Sequence, residues 1–122
     1  MKKNNTMNRQ SAFVCGASKG IGAATAIELS KQGVTVILLA RNKKGLDATI
    51  EKLDISLGQQ HQSIIADFNN PEKLEKKVNN FLDNYNNNIE ILVNNTGGPK
   101  PGPIINATSS DFINTFNQHL IC

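Results

Sequence analysis

Tryptophan is absent from this 122-residue chain, tyrosine occurs once, and aromatic residues make up only 5% of it. A surface that stacks nucleic-acid bases sets aromatic rings among its cations. The densest basic stretch, Lys73-Leu74-Glu75-Lys76-Lys77, holds no ring, so it reads as the solvated face of an amphipathic helix and no nucleic-acid partner is expected. Cysteine is equally scarce. Cys15 lies in an apolar run and Cys122 is the last residue, a usage that suits a reduced, cytoplasmic protein. Cys15 reads as a small apolar side chain, since no neighbour supplies a base. No metal site is expected. Long apolar runs are missing too: none approaches the roughly 20 residues that cross a bilayer, and no membrane partner is expected. Residues 1–10 form a polar tail without the apolar centre of a secretion signal. The sequons at Asn4, Asn94 and Asn106 therefore read as chance in an asparagine-rich chain.

Glycine is placed where it carries meaning. Gly16-Ala17-Ser18-Lys19-Gly20-Ile21-Gly22 follows the apolar run Ala12-Phe13-Val14-Cys15 and opens a helical pattern. A glycine-rich turn from strand to helix lets backbone approach a pyrophosphate without Cβ clashes and aims the first N–H groups of the helix at the anion. The spacing Gly-x-x-x-Gly-x-Gly puts one more residue between the first two glycines than the usual dinucleotide fingerprint.

Strand and helix patterns then alternate to the end of the chain. A helix over residues 21–32 ends at Gly33; the β-branched run over 35–40 reads as a strand covered on both faces. Leu46, Ile50, Leu53 and Leu57 define a second helix over 44–57 closed by Gly58. Residues 63–66 form a short third strand. Pro71 opens a third helix whose apolar face is Leu74, Val78, Phe81 and Leu82. A polar loop over 84–88, a fourth strand over 89–93, a Gly/Pro loop over 97–103 and a helix from about Ser110 complete the series. The order βαβαβαβα implies an α/β, Rossmann-like, doubly wound parallel sheet with strand order 3-2-1-4. The expectation is one domain over 11–122, stopping before a fifth strand.

In such a sheet a ligand lies over the carboxyl ends of the strands at the switch point, here between the first and fourth. The loop after the second strand, Ala40-Arg41-Asn42, lacks the acid that would hold both ribose hydroxyls of NAD. Arg41 offers a planar cation that pairs a 2′-phosphate, and Lys19 can reach the same group, so NADP is the expected cofactor.

Two further motifs complete a resemblance. Asp67-Phe68 follows the third strand and Asn94-Asn95-Thr96-Gly97 the fourth. With the glycine turn, they resemble the short-chain dehydrogenase/reductase family from about Ser11 onward. The resemblance implies that Asp67 meets the adenine amino group and that the Asn-Asn-Thr-Gly element, with Thr96 in place of alanine, supports the sheet and touches the cofactor. The cofactor-binding set it implies is Gly16, Ser18, Lys19, Gly20, Ile21, Gly22, Arg41, Asp67, Phe68, Asn95 and Gly97.

Departures bear on the chemistry. The family's acid/base tyrosine sits in Tyr-x-x-x-Lys, whereas Tyr85 is followed four residues later by Ile89 and lies in the polar loop. No catalytic residue is assigned. Counting from Phe112, the family's catalytic asparagine position holds His119, and Asn117 falls two residues earlier; His119 is expected to pack. The resulting expectation is the cofactor-binding part of an NADP-dependent short-chain oxidoreductase. A small-molecule substrate belongs to a longer relative, and the chain itself is expected to self-associate or form a homo-oligomer. The alternative is a non-catalytic nucleotide- or partner-binding module. Lys19-Gly20 has the wrong order for a phosphoryl-transfer loop, and Arg41 stands where a methyltransferase would place an acid.

Overall fold

A computed structural model describes residues 10–121 of the chain; the sequon at Asn4, most of the polar tail and Cys122 lie outside them. Four parallel strands form one sheet in the order β3-β2-β1-β4. The central pair, β1 (Ser11–Cys15) and β2 (Thr35–Ala40), is buried almost throughout, which is why both read as continuous apolar runs rather than alternating ones. Ser11 pairs with Thr35 and Cys15 with Leu39. The edges are β3 (Gln62–Ile65) and β4 (Ile91–Val93).

Helices cover both faces. One apolar layer joins Val14, Val36 and Leu38 of the sheet to Ala26 of α1 (Gly20–Lys31) and Leu46 of α2 (Lys43–Ile50). The opposite layer joins Phe13, Ile37 and Leu39 to Leu74, Val78 and Phe81 of α3 (Pro71–Asp83). α1 stops at Gly33, whose φ of 88° places it in the left-handed region as the expected closing glycine. Asn42 and Asn70 cap α2 and α3 through their side-chain oxygens.

The structure corrects two boundaries and one buried face. α2 ends at Ile50, not Leu57. The chain tightens there through Lys52 and Leu53 and is then drawn to α1, where Asp54 N donates to Ser30 Oγ at 2.9 Å. Leu53 is buried, but Leu57 is exposed, and Gly58 closes a turn rather than a helix. Leu82 lies outside the buried face of α3 at 40% exposure; Tyr85 extends that face instead, stacked on Phe81 with ring centroids 5.0 Å apart. β4 is only three residues long; just before it Glu90 still meets Ser11, its N–H donating to the Ser11 carbonyl at 3.0 Å and its carboxylate accepting the Ser11 N–H at 2.8 Å.

After β4 the chain runs through a short 3-10 turn (Ile104–Asn106) into α4 (Ser109–Phe116), which continues as a π-turn (Asn117–Ile121). Thr108 and Asp111 form a reciprocal capping box at the start of α4. Phe112, Ile113, Phe116 and Leu120 are all exposed.

Candidate cofactor-binding site

The turns that follow the four strands surround a cleft of about 450 Å³ over the carboxyl edge of the sheet. Its floor is the glycine turn. Gly16 has φ +62°, and a Cβ there would come within 2.6 Å of Asn95 Nδ2 and 2.7 Å of the Asn95 carbonyl oxygen. A Cβ on Gly22 would lie 2.4 Å from the Gly16 oxygen. These two glycines let β1, α1 and the loop after β4 meet at backbone distance. Gly20, at φ +60°, differs: a Cβ would meet nothing within 4 Å, so bare backbone faces the cleft there.

α1 begins at that bare backbone. Its N-cap, Lys19, provides no side-chain acceptor, whereas α2, α3 and α4 are each capped by a side-chain oxygen. The first-turn N–H groups of α1 have no partner within the helix and carry the positive end of its dipole. Uncapped donors, positive φ and an open approach together fit a pyrophosphate.

Of the eleven residues expected from sequence, ten line this cleft: Gly16, Ser18, Lys19, Gly20, Ile21, Arg41, Asp67, Phe68, Asn95 and Gly97. Gly22 lies beneath it as the close-packing glycine. Lys19 and Arg41 are exposed cations from neighbouring turns, and Asp67 is the one carboxylate that lines the cleft with them. Asn95 sends its amide Nδ2 to the Cys15 carbonyl at 3.4 Å, tying the loop after β4 to the end of β1. Among the described residues no cluster of three or more His, Cys, Asp or Glu can hold a metal ion.

Sequence reasoning missed a supporting layer. Gly45 of α2 packs on the glycine turn so closely that a Cβ would lie 2.8 Å from Ser18 Cβ and the Ser18 oxygen. Thr49, one helical turn further on, donates its hydroxyl to the Ala17 carbonyl at 3.0 Å. A glycine inside a helical pattern was the available signal. Asn69 and Gln118 also line the cleft and were not singled out. His119 is exposed rather than packed, at the rim of a small adjoining cavity of about 120 Å³ shared with Cys15 and Asn94. Tyr85 sits at the opposite end of β1, its hydroxyl 2.7 Å from Ser11 Oγ.

A parallel sheet in this order, with a glycine turn, an uncapped helix start and a ligand-sized cleft at the switch point, defines a dinucleotide-binding Rossmann domain. The chain belongs to the short chain dehydrogenase family, whose sequence model matches residues 10–121. It is 40% identical over 88 residues to 17-beta-hydroxysteroid dehydrogenase type 3 of Danio rerio, covering 70% of this chain and 27% of that one. It is 37% identical over 86 residues to very-long-chain 3-oxoacyl-CoA reductase of Anas platyrhynchos, again covering 70% of this chain and 27% of the relative. Among solved structures, a short chain dehydrogenase from Burkholderia cenocepacia in complex with NADP superposes with a TM-score of 0.82 at 28% identity, covering 94% of this chain and 46% of that one. The chain thus spans about a quarter of these two relatives and under half of that structure. No helix among the described residues is long and apolar enough to cross a membrane.

Proposed function

We propose that this chain is the cofactor-binding part of an NADP-dependent short-chain oxidoreductase acting on a small carbonyl or alcohol substrate in the cytoplasm. One observation carries the choice of cofactor: Lys19 and Arg41 line the same cleft, and no acid follows β2. A carboxylate at that position accepts hydrogen bonds from ribose hydroxyls, whereas a guanidinium and an ammonium pair with a 2′-phosphate. The NADP named with the Burkholderia structure supports the same reading.

Each part of the chain has a task in this reading. The first N–H groups of α1 take the pyrophosphate; Arg41 and Lys19 take the 2′-phosphate; Asp67 accepts from an amine on the base. Asn95 keeps the turn beneath them in register with β1. The bound cofactor supplies hydride chemistry at its nicotinamide. A non-catalytic nucleotide-binding module is the second reading, and one fact favours it: Tyr85, the single tyrosine, is tied to Ser11 at the far end of the sheet and cannot serve as an acid in the cleft.

Titration of the chain and of Arg41→Ala with NADPH and NADH tests the proposal. A charge-assisted hydrogen bond contributes about 1.5 to 3 kcal/mol, and the exposure of Arg41 puts it at the low end. The variant is expected to lose about 10-fold in affinity for NADPH and less than about 2-fold for NADH. Equal losses for the two cofactors would overturn the assignment.

A further inference from the structure

The π-turn after α4 reaches across the cleft. Gln118, in that turn, donates from its Nε2 to Asn69 Oδ1, 49 residues away in sequence and in the loop after β3. Asn69 belongs to a hydrogen-bonded turn of its own. Its backbone N–H donates to Asp67 Oδ1 at 2.9 Å, and Asn70 N donates to the Asp67 carbonyl at 3.0 Å. Asn70 Oδ1 then accepts Lys73 N at 3.1 Å and starts α3. The turn engages one carboxylate oxygen of Asp67, Oδ1; among the described residues the other accepts no hydrogen bond.

Asp67, Asn69 and Gln118 all line the cleft, and Asp67 and Asn69 are exposed. The bonds within residues 67–70 are local; the turn is anchored before it by Ala66 N, which donates to the Ala40 carbonyl at 3.0 Å, and after it by α3 packed on the sheet, while its tip at Asn69 projects into the cleft. Gln118 supplies a long-range tie from the opposite wall. The π-helical turn over Asn117–Ile121 carries the amide that spans the cleft.

We propose that Gln118 is a positioning residue for the base of the bound nucleotide. Through Asn69 it holds the Asp67 turn so that the remaining carboxylate oxygen accepts a hydrogen bond from an exocyclic amine. The inference rests on the proposed cofactor reading and adds to it a residue that acts through another. Its signature is discrimination of the base rather than affinity alone.

The test compares NADPH with its hypoxanthine analogue, in which a carbonyl replaces the base amine, by binding to the full chain and its variants. The chain as it stands is expected to prefer NADPH. Gln118→Ala lowers NADPH affinity about 3- to 10-fold, the worth of one neutral hydrogen bond, and narrows the ratio between the two ligands. Asp67→Ala sets the floor of that ratio. Gln118→Glu retains the preference, because the Asn69 amide can turn its Nδ2 toward the new carboxylate. A merely structural role for Gln118 would weaken both ligands equally, and that result overturns the proposal, as does an unchanged ratio in Gln118→Ala. Wild-type chain that binds both ligands without preference overturns it while leaving the cofactor reading intact. Wild-type chain that binds neither overturns both.

Discussion

Gly22→Ala sets two effects of opposite sign against each other. Gly22 is the third residue of α1, and alanine in a helix is favoured over glycine by up to about 1 kcal/mol. Against that gain stands a Cβ placed 2.4 Å from the Gly16 oxygen, 2.8 Å from its carbonyl carbon and 2.9 Å from Asn95 Nδ2. Overfilling of this kind costs roughly 1–3 kcal/mol. The upper end applies, because the partner is backbone and Gly16 is itself pressed against Asn95, at distances of 2.6 and 2.7 Å from its own missing Cβ. The turn has nowhere to retreat. A net loss of about 2 kcal/mol follows, which lowers a urea midpoint by about 1 M at a slope of about 2 kcal/mol per molar. Equilibrium unfolding followed by circular dichroism gives the number. The double variant Gly22→Ala/Asn95→Ala is expected to lose less than the sum of the single changes, since removing the Asn95 amide opens one side of the clash. A midpoint at or above that of the unmodified chain would show that the turn yields easily, and the account of why glycine stands at position 22 would be wrong.

Three other outcomes are expected. The purified 122-residue chain turns over no NADPH with a carbonyl substrate, since no residue described fills the acid/base role, and His119→Ala changes nothing; turnover lost in His119→Ala would instead promote that residue. The carboxyl of Asp111 is held below the ordinary aspartate range by the Thr108 backbone N–H and then by its hydroxyl, and that of Asp54 by the Ser56 side chain and then its N–H. Because folding lowers both pKa values, their stabilisation is complete above the unfolded-state value and is lost as pH falls through the lower folded one, so the protection of the α4 amides, taken relative to the intrinsic exchange rate at each pH, should fall only in acid; Asp111→Asn should flatten that limb, and an unaltered profile would refute the link. The chain is also expected to self-associate through the open side of β4 and the exposed ridge of α4, where Leu92 is 62% and Phe116 51% exposed; sedimentation as a single monomeric species, with strongly protected amides in β4, would contradict this.

Much of the sheet could be read from the sequence because its signals are local. The runs of β1 and β2, the closing Gly33 and the first-turn Pro71 each act through neighbours in the chain, and the strand order follows from alternation and handedness. The glycine turn was legible for the same reason. What escaped depends on meetings between distant residues. Spacing extended α2 to Leu57, but the hydrogen bond from Asp54 to Ser30 ends that trend from another helix. Gly45 reads as a flaw in α2 until Ser18 is found against it. Gln118 and Asn69 carry no motif, and only the cleft brings them together.

The tie between Tyr85 and Ser11 also has an optical consequence. With no tryptophan and one tyrosine, the ultraviolet emission of the chain comes from a single ring, stacked on Phe81 and hydrogen-bonded at the foot of β1. That emission reports the opening of the sheet at one defined place. It is remote from the cleft, so a nucleotide settling over Gly20 leaves the local surroundings of the ring unchanged. In the ligand-free protein, excitation of tyrosine therefore follows the unfolding of the scaffold through one ring at the foot of β1.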